Sequence, residues 1–217
     1  MMRKVLSELL GTFGLVFTGC GAVVVNDLTG GVIGHLGINV VFGLAVMTMV
    51  YSFGDVSGAH INPAVTIAFW LSGRFPLKEV APYVVAQCIG AIAASALLLF
   101  LFPGNEYYGA TLVSDTIMQS FVLEVVITFL LMLIIIMVAT GSKEVGTLAG
   151  IAIGAAVSLL ALVGGPISGA SMNPARSLGP ALISGHLENL WLYVVAPIIG
   201  AALAVPVSHV LKNGEDG

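Results

Sequence analysis

Charged residues are scarce in this chain of 217 residues, which has only 7 Lys and Arg and 11 Asp and Glu. Charged side chains make up 8% of the sequence, whereas a soluble domain carries about 25%. In contrast, 58% of the residues are hydrophobic. A soluble fold could not bury that much apolar surface, and nothing in the composition supports nucleic-acid binding. The composition therefore predicts a protein embedded in a lipid bilayer.

Cysteine is almost absent, and both cysteines, Cys20 and Cys88, lie within apolar stretches. A thiol in such a place usually serves as a small hydrophobe, so we expect neither a disulfide nor a metal site. No Ser-His-Asp grouping, His-Glu-x-x-His motif or Cys pair occurs at a plausible depth. The sequence thus gives no basis for an intramembrane enzyme or a cofactor.

Long uncharged stretches recur along the chain, and each could form a helix of ~20 residues that crosses a bilayer. We predict six membrane spans, near residues 4–26, 34–53, 79–102, 116–139, 145–164 and 190–211. The first span follows Arg3 and Lys4, as the apolar part of a signal peptide would. It is longer than that part usually is, and no small-residue cleavage site precedes Asp27. We therefore expect it to remain as the first span.

The chain contains an internal repeat at an offset of about half its length. Three pairs of segments match in the same order: Glu8–Phe13 with Glu124–Phe129, Ser57–Ala64 with Ser168–Ala175, and Tyr83–Ala91 with Tyr193–Ala201. Each copy holds three spans, and this odd number means that the second copy enters from the opposite side. We predict a single transmembrane domain, 1–217, with inverted repeats at 1–110 and 111–217. A solute path is expected where the repeats meet.

The positions of lysine and arginine test this topology, because short cytoplasmic loops accumulate them. With a cytoplasmic N-terminus, all but one of these residues fall on the cytoplasmic side: Arg3, Lys4, Arg74, Lys78, Lys143 and Lys212. The exception is Arg176, which lies between spans five and six. An intramembrane charge is costly and usually functional, so Arg176 is predicted to face the solute path. We expect a multi-pass protein of the cell membrane with both termini in the cytoplasm.

Two apolar segments between spans, 57–71 and 168–184, are too short and too rich in Gly and Pro to cross the membrane. Irregular backbone at membrane depth is tolerated only where it is buried in protein or lines a wet cavity. Each segment contains Asn followed by Pro, a favoured N-cap before a favoured first helical residue. We therefore predict two re-entrant loops that lead into half-helices at Asn62-Pro63-Ala64 and Asn173-Pro174-Ala175.

The inverted repeat would bring the N-termini of both half-helices together at mid-membrane, each with about half a positive charge from its dipole. The side-chain amides of Asn62 and Asn173 would add hydrogen-bond donors there. Such a centre can orient the oxygen of a neutral solute and oppose the passage of a cation or proton. The approaches at 57–60 and 168–171 are expected to be extended and to offer backbone carbonyls as acceptors. This arrangement suits water or a polyol.

The paired motifs, within SGAHINPAVT and SGASMNPARS, resemble the aquaporin (major intrinsic protein) superfamily, and the resemblance covers the entire chain. It implies an all-α membrane fold of six transmembrane helices and two re-entrant half-helices, with a pore in each subunit of a homotetramer. The stretch GPISGASMNPARSLGPA looks most like the plant nodulin-like branch and some microbial relatives. Members of these groups variously pass water, glycerol and uncharged metalloid hydroxides.

The resemblance also implies an outer constriction, the selectivity filter, at Phe42, Ala161, Ala170 and Arg176. The water-specific pattern resembles Phe, His, a small residue and Arg, so Ala161 replaces the His. The constriction is therefore expected to be wider and less polar than in a strict water channel. The glycerol-facilitator pattern, with two bulky aromatics and a Gly, does not match either.

Glu8, Glu124 and His60 match the buried polar residues that brace the re-entrant loops in this family. A carboxylate inside a span can instead belong to a proton relay, and His60 could act as a titrating gate. The two glutamates occupy identical repeat positions, which favours the structural role for them.

The prediction from the sequence is a passive channel for water and small uncharged solutes such as glycerol, which excludes ions and protons. One alternative is a strictly water-selective aquaporin. The other is an ion-coupled secondary transporter, since transporters also use inverted repeats and broken helices. Coupling would need a titratable or cation-binding site on the path, for which Glu8, Glu124 and His60 are the only candidates.

Overall fold

The computed structural model describes residues 1–139 and 146–213, and within these residues all regular structure is helical. The helices that are long and apolar enough to cross a membrane are α1 (Met2–Leu28), α2 (Gly34–Ser57), α4 (Leu77–Leu101), α5 (Ile117–Ala139), α6 (Ala149–Ser168) and α8 (Leu190–Asn213). Two short helices, α3 (Pro63–Leu71) and α7 (Pro174–Ser184), follow α2 and α6. The predicted fold class is confirmed.

The ends of two predicted spans differ from the structure. Helices α2 and α6 continue beyond the expected ends at 53 and 164, to Ser57 and Ser168. Each ends at a left-handed glycine, Gly58 with φ 87° and Gly169 with φ 76°. A glycine at this position closes a helix without a steric penalty, and so it sets the end of each helix. Lys143 and the predicted start of the fifth span at 145 lie outside the described residues.

The long helices pack in the same way in both halves, and each half-helix packs against the other half. Helix α1 packs on α2 and α4, and α5 packs in the same way on α6 and α8. Each half-helix packs on the last long helix of the other half, α3 on α8 and α7 on α4. A Cβ at Gly90 in α4 would collide with the carbonyl of Leu9, and one at Gly200 in α8 with that of Val125. Small residues at equivalent positions thus allow both close crossings.

The outer faces of the long helices are apolar. Leu36, Phe100 and Leu159 illustrate this, with side chains 63%, 79% and 64% exposed. Polar side chains such as Glu8 and Glu124 are fully buried instead. This distribution suits a bundle surrounded by lipid, and it places the polar groups in the interior of the bundle.

Candidate functional site

Each half-helix begins at the asparagine of its Asn-Pro-Ala motif. Asn62 and Asn173 are N-cap residues with extended backbone, and a proline follows each of them. The Oδ1 atom of Asn62 accepts a hydrogen bond from the Ala64 amide over 2.9 Å, and that of Asn173 accepts one from the Ala175 amide over 3.0 Å. The side-chain oxygens are thus used to cap the helices, which leaves the NH₂ groups to point elsewhere.

The two motifs are joined by reciprocal hydrogen bonds. Asn62 donates from Nδ2 to the carbonyl of Met172 over 2.8 Å, and Asn173 donates from Nδ2 to the carbonyl of Ile61 over 2.9 Å. Each asparagine is therefore oriented by the loop of the other repeat. The N-termini of α3 and α7 come together in the interior of the bundle.

The loops before the half-helices contain residues in a backbone conformation that non-glycine residues rarely adopt. The φ angles are 46° at Ala59, 44° at Ile61, 44° at Ala170 and 52° at Met172. The expectation that 57–60 and 168–171 are extended is therefore wrong at Ala59 and Ala170. It is also wrong at the two residues before each of them, because Ser57 and Ser168 still belong to α2 and α6 and the glycines that follow are left-handed. Each non-glycine residue with a positive φ costs about 1–3 kcal/mol, so the surroundings must hold it in place.

The carboxylate of Glu8 contacts the first loop at several points. Its Oε1 atom accepts hydrogen bonds from Ser57 Oγ over 2.7 Å and from the His60 amide over 2.9 Å. Its Oε2 atom accepts from the Ile61 amide and from Gln87 Nε2, both over 2.7 Å. Four donors therefore converge on a carboxylate that is fully buried, and two of them are backbone amides of the strained loop.

Glu124 makes the equivalent contacts in the second repeat. Its Oε1 atom accepts from Ser168 Oγ over 2.7 Å and from the Ser171 amide over 2.8 Å, and its Oε2 atom accepts from the Met172 amide over 2.9 Å. Pro197 occupies the repeat position of Gln87 and offers no side-chain donor. The two carboxylates thus accept hydrogen bonds from backbone amides at equivalent repeat positions. They differ in one side-chain donor, because Gln87 has no counterpart in the second repeat.

His60 lies in an aromatic enclosure beneath the first loop and is 8% exposed. Its ring centroid is 4.8 Å from those of Phe69 and Phe75 and 5.3 Å from that of Tyr83. Its Nδ1 atom is 3.2 Å from Thr66 Oγ1. The ring is thus fixed on several sides, although His60 also borders the cavity described next.

A cavity of about 530 Å³ lies between the two halves and passes both motif asparagines. Its lining includes Phe42 in the first half of α2 and Asp55 near the end of that helix, which are separated by about 20 Å of helix. The lining also contains every residue predicted for the outer constriction: Phe42, Ala161, Ala170 and Arg176. The structure therefore brings the two predicted constrictions together along one continuous space.

Arg176 is almost completely buried, with 5% of the residue exposed. Its Nη1 atom donates a hydrogen bond to the carbonyl of Gly109 over 2.7 Å. Its Cζ atom lies 4.8 Å from the centroid of the Phe42 ring, within the range of a cation–π contact. The guanidinium is thus fixed beside the cavity, and no carboxylate forms an ion pair with it among the described residues.

Two contacts at the site were not predicted from the sequence. Gln87 donates to Glu8 and to Thr66 of α3, and a glutamine within an apolar span was a signal that could have identified it. Gly109 holds Arg176 through a backbone carbonyl, a group that every residue carries. No sequence signal could have identified that contact.

Among the described residues, helices long and apolar enough to cross a membrane surround a cavity that passes both motif asparagines between two inverted halves, an arrangement that fits a membrane channel. The family model described as "Major intrinsic protein" matches residues 1–207. The chain therefore belongs to the major intrinsic protein family, as the paired motifs predicted.

Individual relatives agree with this assignment. The chain is 50% identical over 201 residues to "Aquaporin NIP1-1" of Zea mays, a match that covers 92% of this chain and 71% of the relative. It is 46% identical over 212 residues to "Nodulin-26" of Glycine max, which covers 97% of this chain and 78% of the relative. The predicted likeness to the nodulin-like branch is confirmed.

The fold also matches a solved structure, that of the aquaglyceroporin from Plasmodium falciparum. The TM-score is 0.85 at 26% sequence identity, and the match covers 96% of this chain and 99% of the other. As a member of this family the chain is a channel and not an enzyme. The comparisons favour a channel for water and small solutes over an ion-coupled secondary transporter.

Proposed function

We propose that this chain passes water and small uncharged solutes such as glycerol passively, and that it excludes ions and protons. The observation that carries the proposal is the meeting of Asn62 and Asn173 on a single cavity that also contains Arg176. Two helix N-termini and a guanidinium place positive charge and hydrogen-bond donors along the path. A neutral solute can accept those hydrogen bonds, whereas a cation meets an unfavourable potential.

At the central constriction we assign Asn62, Asn173 and the Pro and Ala that follow each of them. The Oδ1 atoms cap the half-helices, and one N–H of each NH₂ group is bonded to the opposite loop. One N–H per asparagine remains for a solute oxygen. A water molecule whose oxygen accepts a hydrogen bond from both asparagines turns its hydrogens away from the centre of the pore. This orientation interrupts the chain of hydrogen-bonded water molecules that could conduct protons.

At the outer constriction we assign Phe42, Ala161, Ala170 and Arg176 as the selectivity filter. Two alanines leave room where a histidine would narrow the path, and Phe42 gives an apolar wall. Arg176 donates one hydrogen bond to Gly109, and its other N–H groups can serve solute oxygens. A wall that is apolar on one side and donates hydrogen bonds on the other fits a polyol, whose carbons and hydroxyls face opposite ways.

We assign Glu8, Glu124 and His60 to the support of the re-entrant loops. Hydrogen-bond donors surround both carboxylates, and aromatic rings surround His60. A coupling site would need an exchangeable proton or a bound cation. The carboxylate oxygens of Glu8 and Glu124 already accept hydrogen bonds from loop amides, so they suit a passive channel better than an ion-coupled transporter.

We further propose a homotetramer in the cell membrane, with both termini in the cytoplasm. The even number of candidate spans among the described residues would leave both termini on one side of the membrane. Arg3 and Lys4 at the start of α1 lie on the same side as Lys78 at the start of α4, and Lys4 is 3.1 Å from Glu79. This accumulation of basic residues supports the cytoplasmic assignment. The tetramer is supported by the family to which the chain belongs.

The test is stopped-flow light scattering on proteoliposomes, with water and glycerol permeability recorded side by side against empty liposomes. We expect both to exceed the control, with a low activation energy and no dependence on an ion gradient. Fast water flow without glycerol flow would instead identify a strictly water-selective channel. Uptake that requires an ion gradient would contradict the passive mechanism.

A further inference from the structure

Gly19 of α1 lies directly against the ring of Phe42, although it is not among the residues that line the cavity. A Cβ atom at Gly19 would overlap the ring atoms Cδ1 and Cε1 and would lie 2.7 Å from Cζ. Gly19 is itself buried, so its neighbours leave little room for adjustment. The observed position of the Phe42 ring therefore requires a residue without a side chain at position 19.

The space around the Phe42 ring determines where it would move if Gly19 had a side chain. The Arg176 guanidinium lies 4.8 Å from the ring centroid, and protein interiors are packed too closely to accept a displaced ring. The ring also borders the cavity. The cavity is thus the available free volume, and a ring displaced from Gly19 would narrow it.

The next residue of α1, Cys20, contacts the group that holds Arg176. Gly109 has a φ angle of 76°, and a Cβ at this position would lie 2.7 Å from Cys20 Cβ. The carbonyl of Gly109 accepts the hydrogen bond from Arg176. Two adjacent residues of α1 therefore contact the filter or its support. Gly19 contacts the filter side chain of Phe42 directly, and Cys20 contacts Gly109, which holds the filter side chain of Arg176.

We infer that Gly19 is a positioning residue of the selectivity filter, which keeps the outer constriction wide enough for a polyol by giving room to Phe42. The inference rests on the proposed function, in which Phe42 and Arg176 form the filter. Helix α1 supplies none of the four filter residues. Gly19 would therefore be a fifth position that determines which solutes are small enough to pass.

The experiment compares Gly19→Ala with Gly21→Ala in proteoliposomes. A Cβ at Gly21 meets only Leu98 Cδ2, at an ordinary contact distance of 3.4 Å. For Gly19→Ala we expect the ratio of glycerol to water permeability to fall about tenfold, since one methyl group in an apolar pocket changes discrimination by about that much. Gly21→Ala should leave the ratio unchanged. An unchanged or increased ratio in folded Gly19→Ala would overturn the inference.

A double-variant cycle separates this inference from the filter proposal. If Phe42→Ala alone leaves the ratio unchanged, the filter role of Phe42 fails. If Phe42→Ala changes the ratio, Gly19→Ala should have no further effect in that background, because the ring is gone. An equal effect of Gly19→Ala in both backgrounds would overturn the inference and leave the filter intact. If Gly19→Ala does not fold alone, addition of Phe42→Ala should restore folding, and failure to do so would also count against the contact.

Discussion

The side-chain amide of Asn173 donates to the carbonyl of Ile61, the residue immediately before Asn62, over 2.9 Å. Asn62 returns an equivalent bond to Met172 over 2.8 Å. Each half of the chain thus orients the asparagine of the other, and the central donors cannot move independently. The proposed outer constriction, in contrast, depends on side-chain size and on one fixed charge, which makes it the better place to change selectivity without disturbing the fold.

Removal of the buried charge should weaken ion exclusion. We expect Arg176→Val to increase the leak of protons or small cations by about tenfold, which corresponds to ~1.4 kcal/mol of barrier. The physical reason is that Arg176 is buried beside the cavity without an acidic ion-pair partner among the described residues, so its charge acts on the path. The measurement is the decay of a pH gradient in proteoliposomes, followed with an entrapped pH-sensitive dye.

Arg74 provides the matched control for this experiment. It is exposed between α3 and α4, outside the cavity lining, so Arg74→Val removes the same charge without changing the path. We expect Arg74→Val to leave the proton leak at the wild-type level. Equal leaks in both variants, or no leak in Arg176→Val, would argue against a filter role for Arg176.

A larger side chain at position 161 should lower the ratio of glycerol to water permeability. Ala161 is 4% exposed and lines the cavity, so a larger side chain at this position must occupy part of the path. We expect Ala161→His to lower glycerol permeability by about tenfold and to retain most of the water flow. Ala161→Leu should lower both, because it adds bulk without a hydrogen-bonding group. Stopped-flow light scattering measures both permeabilities.

Ala155 lies on the same helix and is exposed on its outer face. Ala155→Leu therefore adds the same side chain away from the cavity, and both permeabilities should stay at the wild-type level. If Ala161→His transports glycerol as fast as the wild type, Ala161 does not limit solute size.

The carboxylate of Glu8 should be needed for stability. In Glu8→Gln one carboxylate oxygen becomes an NH₂ group, so two of the four donors lose their acceptor, at about 1–3 kcal/mol each. We expect a clearly lower Tm in detergent and a reduced water permeability, because the first loop lines the cavity. Glu106→Gln changes an exposed carboxylate and should leave Tm unchanged. An unchanged Tm in Glu8→Gln, together with the loss of an ion-gradient dependence of uptake that the wild type shows, would favour the transporter alternative.

Much of this fold could be predicted because its determinants are side chains with a regular pattern. The uncharged stretches set the spans, and Asn62 and Asn173 mark the half-helices as N-caps followed by proline. The ends of α2 and α6 could not be located from the sequence, because Gly58 and Gly169 are two among 27 glycines and only their backbone conformation identifies them as the residues that close these helices.

The strained loops and the contacts of Gly19 and Gly109 could not be predicted for a different reason. Alanine and isoleucine do not favour a positive φ, so nothing in the local sequence indicates it at Ala59 or Ile61. The conformation depends on Glu8, which is distant in the sequence. A glycine in an apolar span indicates close packing of some kind, but only the coordinates show that Gly19 faces Phe42.

Two tyrosines at equivalent repeat positions should respond differently to the loss of their hydroxyl groups. Tyr83 donates to the carbonyl of Ser57, the last residue of α2, over 2.9 Å. Carbonyls at a helix end lack partners within the helix, so this bond satisfies a buried acceptor. The hydroxyl of Tyr193 is buried beside Thr111, but no hydrogen bond of regular geometry joins it to a described residue. It also borders a small cavity of about 20 Å³.

We therefore expect Tyr83→Phe to destabilise the protein by about 1–3 kcal/mol, since it leaves the Ser57 carbonyl unpaired. Tyr193→Phe removes a hydroxyl group that makes no hydrogen bond of regular geometry with its neighbour Thr111, so it should leave stability unchanged or raise it slightly. Thermal unfolding of the two variants in the same detergent measures the difference, and each variant is the control for the other. An equal loss of Tm in both would mean that the Tyr193 hydroxyl has a stabilising partner, such as a water molecule in the small cavity, and that the repeats are more alike here than their hydrogen bonds indicate.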